Sequence, residues 1–167
     1  MDLLAFLRSE SGLRASSAIL FNHESPRRSG EFVSRKITQA AALAATGQRT
    51  HLHLRNIGAR ADWSSANDIV AALELIGRAP SACDYVVASG QLHSVRSWLE
   101  TAFGHVGLDW KEYATFDEDR ETSALAGNSN LLRSSLAWHP TVRFEEMVAD
   151  MVTHDLQGIT AQSNSAV

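Results

Sequence analysis

Residues 22–28, Asn-His-Glu-Ser-Pro-Arg-Arg, hold the densest chemistry in the chain. An amide, an imidazole, a carboxylate and two guanidiniums follow directly on the apolar run Ala18-Ile19-Leu20-Phe21. This set suits an anionic ligand. Arginine offers a planar fork for phosphate oxygens, and asparagine both donates and accepts. Asn22 falls where a strand ends, and ligands of open α/β sheets sit at the carboxyl ends of strands. Arg35 and Lys36, at the start of the next helix, extend the basic cluster. Two readings remain open for it: capture of a nucleotide phosphate, or a solvated loop and helix face.

Other residues carry weaker signals. His51 and His53 lie two apart on one strand face, but no third ligand stands at a sensible spacing, so no metal site is expected. His23 either orients a ligand or caps its own turn. Asp62-Trp63 is a packing corner or part of a site. His93-Ser94-Val95-Arg96 is either an anion-binding helix start or an ordinary N-cap. Cys83 precedes the apolar Tyr85-Val86-Val87 and reads as a packed thiol, not a nucleophile. There is no Ser/His/Asp set, no carboxylate pair of enforced geometry and no glycine-rich phosphate loop, so no catalytic residue is assigned.

The positioning elements alternate. Helices are expected over 3–10, 32–46, 65–77, 94–106, 129–136 and 144–156, and strands over 17–22, 51–55 and 84–89. Ser64 or Ser65 caps the third helix, Ser94 caps the fourth, and Gly107 stops it. Residues 109–113 read as a brief strand, and 114–128 have no clear period. The tail, 158–167, rich in Ser, Thr and Gln, is expected to be disordered and 1–157 to form the folded region. The fold class is α/β with few short strands.

Bulk numbers set the limits. The 167 residues make one domain or part of a larger one. The net charge of −4 steers no nucleic acid toward the chain, so any phosphate recognition must be local. A single cysteine excludes an intrachain disulfide and agrees with a reducing, cytoplasmic setting. No apolar run approaches the roughly 20 residues that span a bilayer, and residues 1–8 do not read as a signal peptide.

Taken together, residues 19–28 and then Phe32-Val33-Ser34-Arg35-Lys36-Ile37-Thr38 closely resemble GDP-mannose 4,6-dehydratases, a family of extended short-chain dehydrogenase/reductases. The likeness continues through Asp62-Trp63, Asn67-Asp68, 84–90 and 93–96, and on to Leu136-Ala137-Trp138-His139-Pro140 and Phe144-Glu145-Glu146-Met147-Val148. The 22–28 run is the family-specific part; the later motifs are shared across the superfamily.

The resemblance implies a nucleotide-sugar-binding, C-terminal portion of that fold. The Rossmann half, with its NADP site and Tyr-x-x-x-Lys pair, is expected to be absent. Tyr85 and Tyr113 are the only tyrosines, and neither has Lys at the fourth following position. By matching position, Asn22, Arg35, Lys36 and Arg120 would bind substrate, GDP-mannose or a related nucleotide sugar. His23, Arg27 and Arg28 would reach the cofactor, with the two arginines on a neighbouring subunit's dinucleotide. The chain alone is expected neither to bind NADP nor to turn over. Its expected partners are a Rossmann half or further copies of itself. The family usually has Arg before the Asp-Trp pair, where this chain has Ala61, and its later Arg-Pro-x-Glu motif is not intact. The alternative reading is a non-catalytic relative or an oligomer-interaction protein. Without a Rossmann half, Leu3, Leu4, Phe6 and Leu7 are expected to leave apolar area exposed.

Overall fold

The computed structural model describes residues 3–165, with side chains described through 162. Helix α1 (Leu3–Ser11) leads into strand β1 (Ser17–Leu20) and then β2 (Asn22–Glu24). Helix α2 (Val33–Ala45) is followed by β3 (Leu52–Asn56), β4 (Arg60–Ser65) and α3 (Ala66–Gly77). Next come β5 (Asp84–Val87), β6 (Leu92–Ser94) and α4 (Val95–His105). A 3₁₀ turn (Trp110–Glu112), β7 (Ala114–Glu118), α5 (Asn130–Leu136) and α6 (Phe144–Ser165) complete the order.

The strands form three small sheets. β1 runs parallel to β5, and β3 parallel to β7. In the third sheet β4 takes β2 as a parallel neighbour on one side and β6 as an antiparallel neighbour on the other. Parallel pairs need crossover connections, and helices supply them.

Two apolar clusters carry the packing. The larger joins α2, α4 and α6 through Ile37, Trp98, Phe103, Val148 and Met151. The alanines of α2 (Ala40, Ala41, Ala44) keep its buried face thin, which lets α6 lie close against it. Trp98 meets Trp63 and Phe144 edge-on, at ring-centroid separations of 5.8 and 5.2 Å. The smaller cluster packs α3 and α5 on β5 through Ile69, Ala72, Tyr85, Val87, Leu132 and Trp138, and Cys83 lies against it as a packed thiol.

The local rules hold at several ends. Ser65 caps α3 by accepting from Asn67 N, and Ser94 caps α4 by accepting from Ser97 N at 3.0 Å. Gly107, at φ +74°, lies just beyond the end of α4.

Elsewhere the structure departs from expectation. Residues 109–113 form a capped 3₁₀ turn instead of a strand: Asp109 accepts from Lys111 N at 3.1 Å while Trp110 drops into the core. The strand in this region is β7, in a segment without readable period. The expected disordered tail is helical through Ser165, continuing α6 past Gly158. Residues 166–167 of that tail lie outside the described residues.

At the N-terminal end, α1 has no buried residue; Leu3 is 70% and Phe6 43% exposed, while Leu4 and Leu7 are half-buried. Arg8 anchors the helix through Asp84, with Nη2 2.5 Å from Oδ1, and this partner holds the Asp84 carboxyl down at about 2. On β1, Ile19 and Leu20 are also exposed, and among the described residues β1 pairs with β5 alone.

Candidate functional site

The 22–28 stretch is a short strand followed by a turn, and its side chains diverge. Asn22 opens β2 beside Trp63 of β4 and is exposed; its Nδ2 donates to the Asp62 carbonyl at 3.2 Å. His23 Nδ1 lies 3.0 Å from the Phe21 carbonyl, a contact that fixes its own turn. Glu24, two residues on from Asn22, points inward and is 2% exposed.

Glu24 organises the arginine loop. Its Oε2 accepts from Ser34 Oγ at 2.6 Å and lies 3.4 Å from Arg28 Nε. Burial pushes the Glu24 carboxyl up, against the opposing pull of Ser34, Arg28 and His23. The Arg28 guanidinium also covers the Phe32 ring, 3.4 Å from its centroid. Arg28 thus ties the strand end to the residue that precedes α2. Arg27, its neighbour, is exposed and lines a cavity of about 770 Å³ with Glu24, Glu146, Asp150 and His154.

The other cations go elsewhere. Arg35 is buried and ion-paired with Asp155 of α6, and it also donates to Thr38 Oγ1 at 3.3 Å. Its charge is therefore committed inside the helix pair. Lys36, one residue on, is exposed. Arg120 is held against the β3–β4 turn: its N donates to Asn56 Oδ1 at 3.0 Å, and its carbonyl accepts from Asn56 Nδ2 at 2.9 Å. A Cβ on Gly58 would come within 2.6 Å of that backbone, so glycine is required there. Arg120's side chain reaches Glu118 (3.4 Å), not residues 22–28. The structure therefore brings together Asn22, His23, Arg27 and Arg28 by chain proximity and leaves Arg35 and Arg120 engaged by other partners.

Asp62 is the residue that ties this region together, and its type alone did not reveal it. It is 1% exposed, and its carboxylate accepts from Ser89 N (3.0 Å), Ser89 Oγ (2.5 Å), Gly90 N (2.9 Å) and Gly127 N (3.0 Å). Four donors offset the cost of burying the charge. A Cβ on Gly127 would lie 2.2 Å from Ala88 Cβ, so only glycine allows this close approach. Asp68 plays a similar part farther along, accepting from Thr141 N, Thr141 Oγ1 and Val142 N at 2.7–3.1 Å.

The start of α4 is an ordinary cap and not an anion site. Val95 N donates to the Ala59 carbonyl and Arg96 N to the Ile57 carbonyl, so its first N–H groups are already used. His93 stacks on Phe144 at 3.9 Å with rings 5° apart, and burial pushes its imidazole below its ordinary value. Ala61, where an arginine was the family expectation, pairs with His93 across β4 and β6. His51 and His53 both lie near Thr115 Oγ1, at 3.0 and 3.3 Å. Among the described residues, no group of three or more His, Cys, Asp or Glu is placed to hold a metal. No described helix is long and apolar enough to cross a membrane.

Against known proteins, the family model for GDP-mannose 4,6 dehydratase matches residues 3–151. GDP-mannose 4,6 dehydratase 1 of Arabidopsis thaliana is 42% identical over 154 residues, covering 90% of this chain and 43% of the relative. The Homo sapiens GDP-mannose 4,6 dehydratase is 34% identical over 179 residues, covering 95% and 48% respectively. The chain thus spans about half the length of these curated relatives. Among solved structures, RMD from Pseudomonas aeruginosa complexed with NADPH superimposes with a TM-score of 0.83 at 19% identity, covering 92% of this chain and 52% of that one. dTDP-glucose 4,6-dehydratase from Bacillus anthracis in complex with NAD gives 0.78 at 17%, covering 94% and 49%. The fold is that of part of an extended short-chain dehydrogenase/reductase.

Proposed function

Because this chain belongs to the GDP-mannose 4,6-dehydratase family, we propose that it is a nucleotide-sugar-binding portion of such an enzyme. The observation that carries this reading is Asn22. Its exposed amide stands at the start of β2, just past the end of β1, and is oriented by the Asp62 carbonyl at 3.2 Å. In this reading Asn22 touches the diphosphate of GDP-mannose or a related nucleotide sugar. Lys36 supplies a solvent-side charge, and Arg27 is the cation free to extend from the loop toward a partner-held dinucleotide. Arg28 acts through Glu24 and Phe32 by setting the loop's shape.

The residues present do not fit a nicotinamide cofactor. The described part has no glycine-rich strand-to-helix turn, and neither tyrosine is followed by the lysine that an acid–base pair needs. We therefore derive no hydride step on this chain. Conversion of GDP-mannose to the 4-keto-6-deoxy sugar and water requires a second polypeptide segment carrying NADP and the acid–base groups. The bare apolar side of α1, with Ile19 and Leu20 of β1, is where such a segment, or another copy, finds area to cover. A cytoplasmic setting accords with this substrate class.

Calorimetric titration of the chain with GDP-mannose tests the reading. Binding that weakens about tenfold or more on Asn22→Ala is expected. No heat and no melting-temperature shift at millimolar ligand sinks it. That second outcome favours a non-catalytic relative that serves in oligomer contacts, a reading that the burial of Arg35 and the presence of Ala61 support.

A further inference from the structure

Asp62 faces two ways. Its main-chain carbonyl serves Asn22, while its carboxylate shapes a different concavity, a cavity of about 480 Å³ between the turn after β5 and the start of α5. Asn22 lines none of it. We propose that this cavity is a second ligand site, one that takes a phosphomonoester.

The donors carry the argument. Arg133 lines the cavity with Gln91, Asn128, Asn130 and His139, and no lining residue bears a carboxylate. The Arg133 Nη2 donates to the Ser89 carbonyl at 3.0 Å, which fixes the guanidinium at the rim. Among the described residues Arg133 has no acidic partner, so the rest of its fork has no anion opposite it. The nine ion pairs of the described chain involve other cations. The one carboxylate behind the wall, Asp62, is already satisfied by Ser89, Gly90 and Gly127, and a guanidinium with neighbouring side-chain amides in a lining without carboxylates is matched by phosphate oxygens.

The walls are built before any ligand arrives. Asp62 ties Ser89, Gly90 and Gly127 together, and Ser129 Oγ donates to the Ala88 carbonyl at 3.0 Å. A Cβ on Gly90 would sit 3.7 Å from Arg133 Nη2, so the turn's backbone lies directly beside the guanidinium. The ordering cost of loops that most surface anion sites incur is already met by these bonds. An adjoining cavity of about 220 Å³ shares Ser89, Gln91 and Pro140 and brings in the His93–Phe144 stack, which leaves room for a group esterified to the phosphate.

Amide spectra of the 167-residue chain, titrated separately with inorganic phosphate and with a hexose 1-phosphate, test the proposal. Shifts are expected at Gly90, Gln91, Gly127 and Asn128. Arg133→Gln is expected to weaken binding about tenfold or more, with Arg133→Lys between the two. Tighter binding of the hexose ester identifies a sugar phosphate as the source; equal affinities identify free phosphate; either supports the site. Absence of shifts at tens-of-millimolar phosphate, or affinity unchanged in Arg133→Gln, overturns it. Shifts confined to residues 22–28 also overturn it and leave the nucleotide-sugar reading standing. Phosphate shifts at 89–91 with no GDP-mannose binding do the reverse.

Discussion

Replacing Asp62 by asparagine is the sharpest test of how this chain holds its loops. The two side chains are nearly equal in size, so the change leaves no cavity. It alters only what the site can accept. Asparagine keeps one oxygen, enough for Ser89 N and Ser89 Oγ, but turns an NH₂ toward the donors that now reach Oδ2, Gly90 N and Gly127 N. Two bonds to a charged acceptor are lost where the side chain is 1% exposed. Each such bond contributes about 1.5–3 kcal/mol, so the loss is about 3 kcal/mol even at the low end. For a chain of this length each kcal/mol moves the melting temperature by about 2–4 °C, so a fall of about 6–12 °C is expected. Asp62→Ala, which leaves four donors unpaired, falls at least as far. Calorimetry measures the melting shift, and amide exchange at Gly90 and Gly127 should quicken selectively. A loss below about 1 kcal/mol for the asparagine variant, or unchanged exchange at the two glycines, refutes the reasoning.

Two further outcomes follow from the same structure. Arg35→Met leaves Asp155 buried without its cation and should cost about 3–5 kcal/mol, read by chemical denaturation, whereas Arg35→Met/Asp155→Leu regains most of it. If Arg35 instead faced ligand, the single variant would weaken GDP-mannose binding without unfolding. Burial lowers His93 below its ordinary 6.5. The unfolded chain then takes up the proton first, so this contribution to stability is whole above about 6.5 and declines as the pH drops toward the lowered value. The acid-side slope of melting temperature against pH should flatten in His93→Phe; an unchanged slope contradicts the assignment.

Much of the helical frame was legible because it rests on local rules. Ser65 and Ser94 cap as their positions require, Gly107 follows the end of α4, and the apolar period places α2, α3 and α4 within a residue or two. Strands β1, β3 and β5 were legible as short apolar or alternating runs, but the others were not. β2, β4 and β6 are three to six residues long and hold no pattern of their own; each exists because another lies beside it. β7 was hidden for the same reason, since its partner β3 is about sixty residues earlier.

The candidate site divides in the same way. By itself the sequence determined the family-specific stretch 22–28, with its amide and two arginines, and the want of a Tyr-x-x-x-Lys pair. Only the tertiary structure decided which charges remain available. Arg27 stays exposed, but Arg28 lies against Glu24 and Phe32, Arg35 is taken by Asp155 from a helix 120 positions away, and Arg120 is held at the β3–β4 turn. Asp62 is the clearest instance, a lone carboxylate in sequence that becomes a four-donor anchor. Residue type fixes what a group can bond, but which partner arrives is set by contacts between segments that the chain brings together only on folding.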